Sequence, residues 1–309
     1  MQSPERFDAD VIATYGRHLL VRDPAGVLLK ARPFGRALDI VCGDRVHCER
    51  DVHAEVLVTG VLPRRSVLMR SNARARSEPL VANLSLAAIV VAALPRPDPF
   101  MIDRYLCAAV CAGLQAIIVV NKADLPLRAE DEASLAELAT LGFGVYRVSA
   151  HEGRGLDTLA LALAPHTSVL LGQSGVGKSS LIQKLTLDGT TALTGELMRE
   201  SEGRHTTTAS RLYTCTGGGS IIDSPGVRDY APSVDQLQQA SLGFPEIEQH
   251  AAQCHFADCR HLQEPRCAVI AAVAAGAIAP RRYESYRRLR RLYEQLHEQR
   301  GPGARAPRR

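Results

Sequence analysis

Residues Gly172–Ser179 read GQSGVGKS, a match to G-x-x-x-x-G-K-[S/T], and no other stretch constrains the fold of this chain so tightly. The motif follows the apolar run Ser168–Leu171 and precedes the helical SLIQKL, so it stands where a strand turns into a helix around a phosphate. Its glycines let successive backbone N–H groups turn inward, and a helix beginning near Lys178 presents its positive dipole end to the anion. The expected phosphate contacts are Gly172, Gln173, Ser174, Gly175, Val176, Gly177, Lys178, Ser179 and Ser180. Lys178 is expected to reach the β- and γ-phosphates, and the Ser179 hydroxyl to ligate Mg²⁺. The bland alternative, a chance glycine-rich turn, is disfavoured by the flanking elements.

The loop alone does not choose between ATP and GTP. Asn121, Lys122, Ala123 and Asp124 spell NKAD after the strand-like AIIVV, and an aspartate there accepts two hydrogen bonds from guanine N1 and N2 that adenine does not offer. Sites that leave buried polar groups unpaired reject the wrong base by factors on the order of 10⁴. Ser149 and Ala150, after VYRV, fit a further backbone contact to guanine. Asp223–Gly226 reads DSPG; Asp223 is expected on Mg²⁺ and the Gly226 N–H facing the γ-phosphate. Between the two phosphate motifs lies Thr186–Leu212, polar and containing GRHTTT at Gly203–Thr208, a segment of the kind that orders around Mg²⁺ and relaxes after hydrolysis. Thr207 is the expected metal ligand, with Thr206 or Thr208 as alternatives.

Many GTPases place a glutamine directly after the DxxG-type motif to orient the attacking water. Val227 occupies that position here, so a low intrinsic rate is expected and a partner must complete the site. His205 is the candidate for positioning the water, weighed against a merely structural loop histidine.

Apolar runs at Leu86–Leu94, Ala116–Val120, Val145–Val148, Ser168–Leu171 and Ser220–Ile222 alternate with helical stretches, the sign of an α/β domain with a parallel sheet covered on both faces. Residues 1–70 read as a small β-barrel, with segments such as Val11–Tyr15, Leu19–Arg22, Val27–Ala31 and Glu55–Val61. Residues 71–79 read as a linker, 80–232 as the nucleotide domain, 233–300 as a helical metal-binding unit and 301–309 as a disordered basic tail. Hydrophobic residues are 46% and charged residues 23% of the chain, which excludes a largely disordered protein. The longest apolar run, Leu80–Leu94, is interrupted by Asn83 and Ser85 and falls short of the roughly 20 residues a spanning helix needs. With no signal-peptide pattern in MQSPERFDAD, a cytoplasmic address is expected.

Eight cysteines in such a compartment point to buried thiols or metal ligands rather than disulfides. Cys254, Cys259, His261 and Cys267 place four good ligands within fourteen residues, a Cys₃His set suited to a closed, structural Zn²⁺ site. Cys107 and Cys111 read as core packing on an apolar helix, Cys215 stands alone, and a second site from Cys42, His47, Cys48 and His53 is disfavoured. Residues 281–309 carry ten arginines against three glutamates, so the net charge of +4 hides a basic C-terminus on a slightly acidic remainder. Tyr286, Leu289, Tyr293 and Leu296 recur at helical spacing and should face inward, leaving Arg287, Arg288, Arg290 and Arg291 outward for an RNA backbone or for solvent.

NKAD precedes GQSGVGKS, the inverse of the usual order, so the domain reads as circularly permuted. That order, with NKAD, GQSGVGKSSL, GRHTTT, DSPGVR and the cysteine cluster in sequence, resembles the ribosome small subunit-dependent GTPase A (RsgA) family. The likeness covers nearly the whole chain; ANLSLAAIVVA lacks an acidic-glutamine pair and Gln183 stands where asparagine is usual, neither at the proposed chemistry. The resemblance implies an N-terminal OB-fold barrel that binds ribosomal RNA, a zinc site with this spacing, and a monomer. It also implies a GTP phosphohydrolase stimulated by the 30S subunit and its 16S rRNA during late maturation. An RNA-binding assembly module that uses GTP or GDP mainly as a conformational ligand is the alternative; a P-loop kinase is disfavoured by NKAD.

Overall fold

The computed structural model describes residues 5–16, 18–35, 38–51, 54–71, 77–187, 209–228, 230, 237 and 241–300. Five strands open the chain: β1 (Glu5–Tyr15), β2 (His18–Arg22), β3 (Leu28–Pro33), β4 (Arg45–Arg50) and β5 (Val56–Val61). The order β1-β2-β3-β5-β4 closes on itself through β1–β4, with β3 and β5 parallel and the other pairs antiparallel. Alternation turns Ala9 and Val11 of β1 and Val46 and Cys48 of β4 inward, where they meet Leu19, Val21, Val56 and Val58. This is the closed five-stranded barrel of the OB fold. Strand β1 reaches beyond the barrel because its register shifts between Val11 and Ala13, a bulge that lets its C-terminal end turn to another partner.

Next comes a hairpin of β6 (Val67–Ser71) and β7 (Ser77–Ala82). Residues 71–79, expected as a linker, therefore include the start of a strand. Arg70 stands opposite Glu78, and Pro79 is accommodated opposite Met69 beside a register shift in this two-stranded ribbon. Leu68, Leu80 and Val81 are what fix it, since they are buried in the core of the nucleotide domain.

That domain has β8 (Leu86–Ala92), β9 (Gln115–Asn121), β10 (Gly144–Arg147), β11 (Thr167–Leu171), β12 (Ser210–Thr214) and β13 (Ser220–Asp223), in the spatial order β10-β9-β8-β11-β13-β12. All neighbours are parallel except β12 with β13. Every residue of β8 is buried, as both faces are covered. The helices are α1 (Pro99–Cys111), α2 (Ala129–Thr140), α3 (Leu156–Leu163) and α4 (Lys178–Leu185). One face packs Ile89, Leu106, Ile118 and Leu138, the other Leu159, Leu163, Leu181 and Ile221. The start of α1 is set by Asp98, whose carboxylate accepts from Phe100 N–H at 3.0 Å and Met101 N–H at 3.4 Å, with Pro99 at the first helical position.

Strand β12 also pairs with β1, Ala13 opposite Arg211 and Thr14 opposite Ser210. Among the described residues, barrel and nucleotide sheet thus form one eleven-stranded sheet. A short helix, α5 (Pro225–Arg228), leads out of β13, followed by α6 (Pro245–Ala251), α7 (Ala268–Ala274) and α8 (Pro280–Arg300). The helical unit closes over Phe244, Ile247, Val269, Ile278, Tyr286 and Leu289, with Cys107 of α1 in the same cluster.

On α8, Tyr286 and Leu289 are inward as their spacing implies, while the Leu296 side chain lies outside the described residues. Arg290 departs from the outward face expected of it: it is buried, with Nη2 donating to the Tyr286 hydroxyl at 3.1 Å. The aromatic surface there takes up the arginine stem and leaves its head a hydrogen-bond acceptor. Expectations for Thr206, Thr207, Thr208, His205 and the tail 301–309, and the boundary at 232, lie outside the described residues.

Candidate functional site

Strands β11 and β9 flank β8 in parallel, so their C-terminal ends bring the phosphate loop and NKAD to the same edge. Asn121 joins them. Its Nδ2 donates to the Val176 carbonyl at 2.9 Å, and its Oδ1 accepts from Ala150 N–H at 3.1 Å. One buried amide therefore ties together three loops that the sequence scatters over 55 positions. Lys122, with a left-handed φ of 58°, sends Nζ to the carbonyls of Leu94 at 2.8 Å and Gly175 at 2.7 Å. It braces the phosphate loop from the guanine side, a role that no spacing rule in the sequence reveals.

Close approach explains two glycines. Gly172 (φ +149°) has Val90 O 2.2 Å from where a Cβ would stand, and Gly177 (φ +94°) has Asn121 Nδ2 at 2.3 Å. A side chain at either would push the loop off the strand ends or off Asn121. Lys178 is buried, and its Nζ donates to the carbonyls of Gly172 at 2.6 Å and Gln173 at 2.7 Å. Ser179 and Ser180 are exposed on the first turn of α4.

Asp124 projects into solvent, and its Oδ1 accepts from the buried Ser149 hydroxyl at 2.6 Å. That hydrogen bond, followed by one from its own backbone, holds the carboxyl below the ordinary aspartate range. An acceptor-only carboxylate is fixed there, with the Ser149 side chain as its donor, a contact in addition to the backbone role expected of Ser149. Ala123 N–H donates to Val148 O at 3.0 Å, completing the loop against β10.

Asp223 ends β13, and Gly226 lies in α5. Val227 is 2% exposed and packs into the core with Ile222 and Leu80, so it offers no polar group to a water. His205 and Thr207 are not among the described residues.

In the helical unit, the ligand atoms of Cys254, Cys259, His261 and Cys267 all lie within 4.8 Å of one another. Cys254 Sγ is 3.4 Å from His261 Nδ1 and 3.9 Å from Cys267 Sγ, and Cys267 Sγ is 3.5 Å from His261 Nδ1. These edges suit a tetrahedron around an ion with metal–sulfur bonds of about 2.3 Å. Burial, then the nearby Arg290, lowers the His261 imidazole pKa and favours the neutral form a metal needs. Two hydroxyls of α8 clasp the ligand loop, Tyr283 onto His261 O and Tyr286 onto Arg260 O, both at 2.8 Å. Glu264 accepts from the N–H groups of Arg260, Leu262 and Gln263. Burial opposes its ionisation, but those backbone donors outweigh it and bring its pKa down to about 2. The cluster can hold one metal ion in a closed set. Among the described residues, no helix is long and apolar enough to cross a membrane.

The profile of the family described as RsgA GTPase matches residues 61–232. A "Small ribosomal subunit biogenesis GTPase RsgA" of Azotobacter vinelandii is 42% identical over 255 residues, spanning 81% of this chain and 74% of that one. Its namesake in Chromohalobacter salexigens is 41% identical over 293 residues, 93% of this chain and 86% of the other. Among solved structures, YjeQ from Thermotoga maritima superposes with a TM-score of 0.72 at 28% identity, over 97% of this chain and all of that one. The fold of YloQ, described as a circularly permuted GTPase, is likewise similar, with a TM-score of 0.70 at 24% identity over 99% and 98% of the two chains.

Proposed function

Because this chain belongs to the RsgA GTPase family and is a GTP hydrolase, we propose that it acts in biogenesis of the small ribosomal subunit, binding the 30S particle through 16S rRNA and hydrolysing GTP faster when bound. The curated relatives carry the ribosomal role in their names. The observation that carries the nucleotide site is the Asn121 amide, bonded at once to the phosphate loop and to the Ser149–Ala150 turn. On this reading Asp124 accepts from guanine N1 and N2 while the Ser149 hydroxyl keeps it ionised and aimed. Gly172–Ser180 wrap the phosphates, with Lys178 moving from its loop carbonyls onto the β- and γ-oxygens. Ser179, Asp223 and Thr207 hold Mg²⁺, which supplies charge neutralisation at the transferred phosphoryl group.

The water oxygen bonds to Pγ as the bond from Pγ to the β–γ bridging oxygen breaks. The electron pair leaves with GDP, and the water's proton ends on inorganic phosphate. Gly226 N–H steadies the γ-phosphate and His205 orients the water, which Val227 cannot do from the core. The Cys₃His cluster is read as a structural Zn²⁺ site, since its four protein ligands leave no open position. A barrel cleft of about 390 Å³ presents Lys30 and Arg32, the latter paired with Glu55, as the cations offered to rRNA phosphates. The protein is read as a cytoplasmic monomer.

The test is GTP turnover of the purified protein with and without purified 30S subunits, with ATP as competitor. Stimulation by 30S and indifference to ATP are expected. Equal turnover in both would favour an assembly module for which nucleotide is a conformational ligand, a reading to which the core position of Val227 lends weight.

A further inference from the structure

Arg70 belongs to none of the nucleotide motifs, yet it reaches the DSPG corner. It sits on β6, opposite Glu78 of β7, whose Oε1 accepts from Arg70 Nε at 2.6 Å. The same guanidinium rests on Gly226. A Cβ there would stand 2.7 Å from Arg70 Nη1 and 2.6 Å from Leu80 Cδ1. The absent side chain at Gly226 is what lets the ends of Arg70 and Leu80 lie this close to the DSPG backbone. The pair with Glu78 is open to water, with side-chain exposures of 42% and 34%, so it is screened and contributes little to stability. Arg70 is held in place without being locked.

Charge that builds on the transferred phosphoryl group needs cations beyond the phosphate-loop lysine, and an arginine supplied in cis is one established way to provide it. Val227, turned into the core, adds no polar side chain at the position that follows Gly226, and the Ser224 hydroxyl is engaged with that of Ser210 at 2.8 Å. We propose that Arg70 is such an arginine: in the GTP-bound protein its guanidinium exchanges Glu78 for a γ-phosphate oxygen beside Gly226 and stabilises the charge there as the Pγ–O bond to GDP breaks and the bond to water forms. The residue is delivered by the hairpin that follows the barrel and packs into the nucleotide-domain core through Leu68, Leu80 and Val81. This inference rests on the GTPase reading above and deepens it.

Full-length wild type, Arg70→Ala, Arg70→Lys and Glu78→Gln are to be compared for kcat and KM with GTP, for GDP affinity, and for the gain in GDP affinity on adding aluminium fluoride, which mimics the planar phosphoryl group. For Arg70→Ala, kcat falls by about a hundredfold or more, short of the fullest effect an arginine has on phosphoryl transfer. Its GDP affinity stays at the wild-type value and the fluoride gain disappears. Arg70→Lys, which keeps the charge and loses the planar fork, stays well below wild type, whereas Glu78→Gln turns over as fast as wild type or faster. A hairpin pair of merely structural value gives the opposite pattern: Arg70→Ala and Glu78→Gln equally impaired, with the fluoride gain intact. That pattern, or wild-type kcat in Arg70→Ala, overturns the proposal. If wild-type protein neither binds GDP nor hydrolyses GTP, the GTPase reading itself fails before Arg70 is in question.

Discussion

Asp103 of α1 is 1% exposed and divides its carboxylate between two arginines of α8, Arg282 Nη1 at 2.6 Å and Arg281 Nη1 at 2.9 Å. Arg282, itself 1% exposed, completes its fork on Glu246 of α6 and lies 4.5 Å over the ring of Phe244. Removing one partner of such a group leaves a buried charge uncompensated, which costs about 3–5 kcal/mol. Asp103→Ala is therefore expected to lose stability on that scale in urea unfolding, while Asp10→Ala, whose pairing with Arg22 is exposed, changes it by less than about 1 kcal/mol. Equal losses would show that the cluster is not a buried anchor. None of this is legible in RRYESYRRLRRLYEQ, where a run of arginines reads as a solvated or RNA-facing surface. What decides which arginine turns inward is an acid 179 positions earlier in the chain, and a linear pattern holds no trace of it. Glycines 172 and 177 were legible because their spacing is itself the motif, although the atoms that exclude a side chain, Val90 O and Asn121 Nδ2, were not.

Elements whose signal is local were readable. Strand, glycine-rich turn and helix follow one another from Thr167 to Leu185 as the sequence implies, and NKAD closes β9. The β6–β7 hairpin was not, since MRSNARARSEP carries arginines, serines and a proline that mimic a linker; only contacts of Leu68 and Leu80 with distant strands make it a strand pair. For the ligand loop the four side chains were legible from spacing, but not the clasp of Tyr283 and Tyr286. That clasp makes a prediction: stripping the metal with a chelator, or Cys267→Ser, releases the loop from α8. Protease cleavage should then appear between residues 252 and 267 while the nucleotide domain keeps its GDP affinity. Unchanged resistance to protease after metal removal would mean that the helices alone hold the loop.

At the scale of the molecule the decisive feature is the pairing of β12 with β1. Strand β12 directly follows residues 188–208 in the chain and also borders β13, which carries Asp223. On the proposed reading, in which the segment before β12 orders around Mg²⁺ when GTP is bound, hydrogen exchange at Ala13, Thr14, Ser210 and Arg211 is expected to be slower with a GTP analogue than with GDP. Identical exchange in the two states would disconnect barrel from nucleotide. The circular order of motifs was evident from the sequence, but this seam was not, because Ser210–Thr214 and Glu5–Tyr15 lie some two hundred positions apart and neither advertises its partner. One continuous ladder of backbone hydrogen bonds runs from the guanine edge at β10 to the far wall of the barrel at β4. The seam in that ladder is only two residue pairs wide, Ala13 with Arg211 and Thr14 with Ser210, so a hand laid on the barrel is expected to be felt at the nucleotide edge through this narrow stitch.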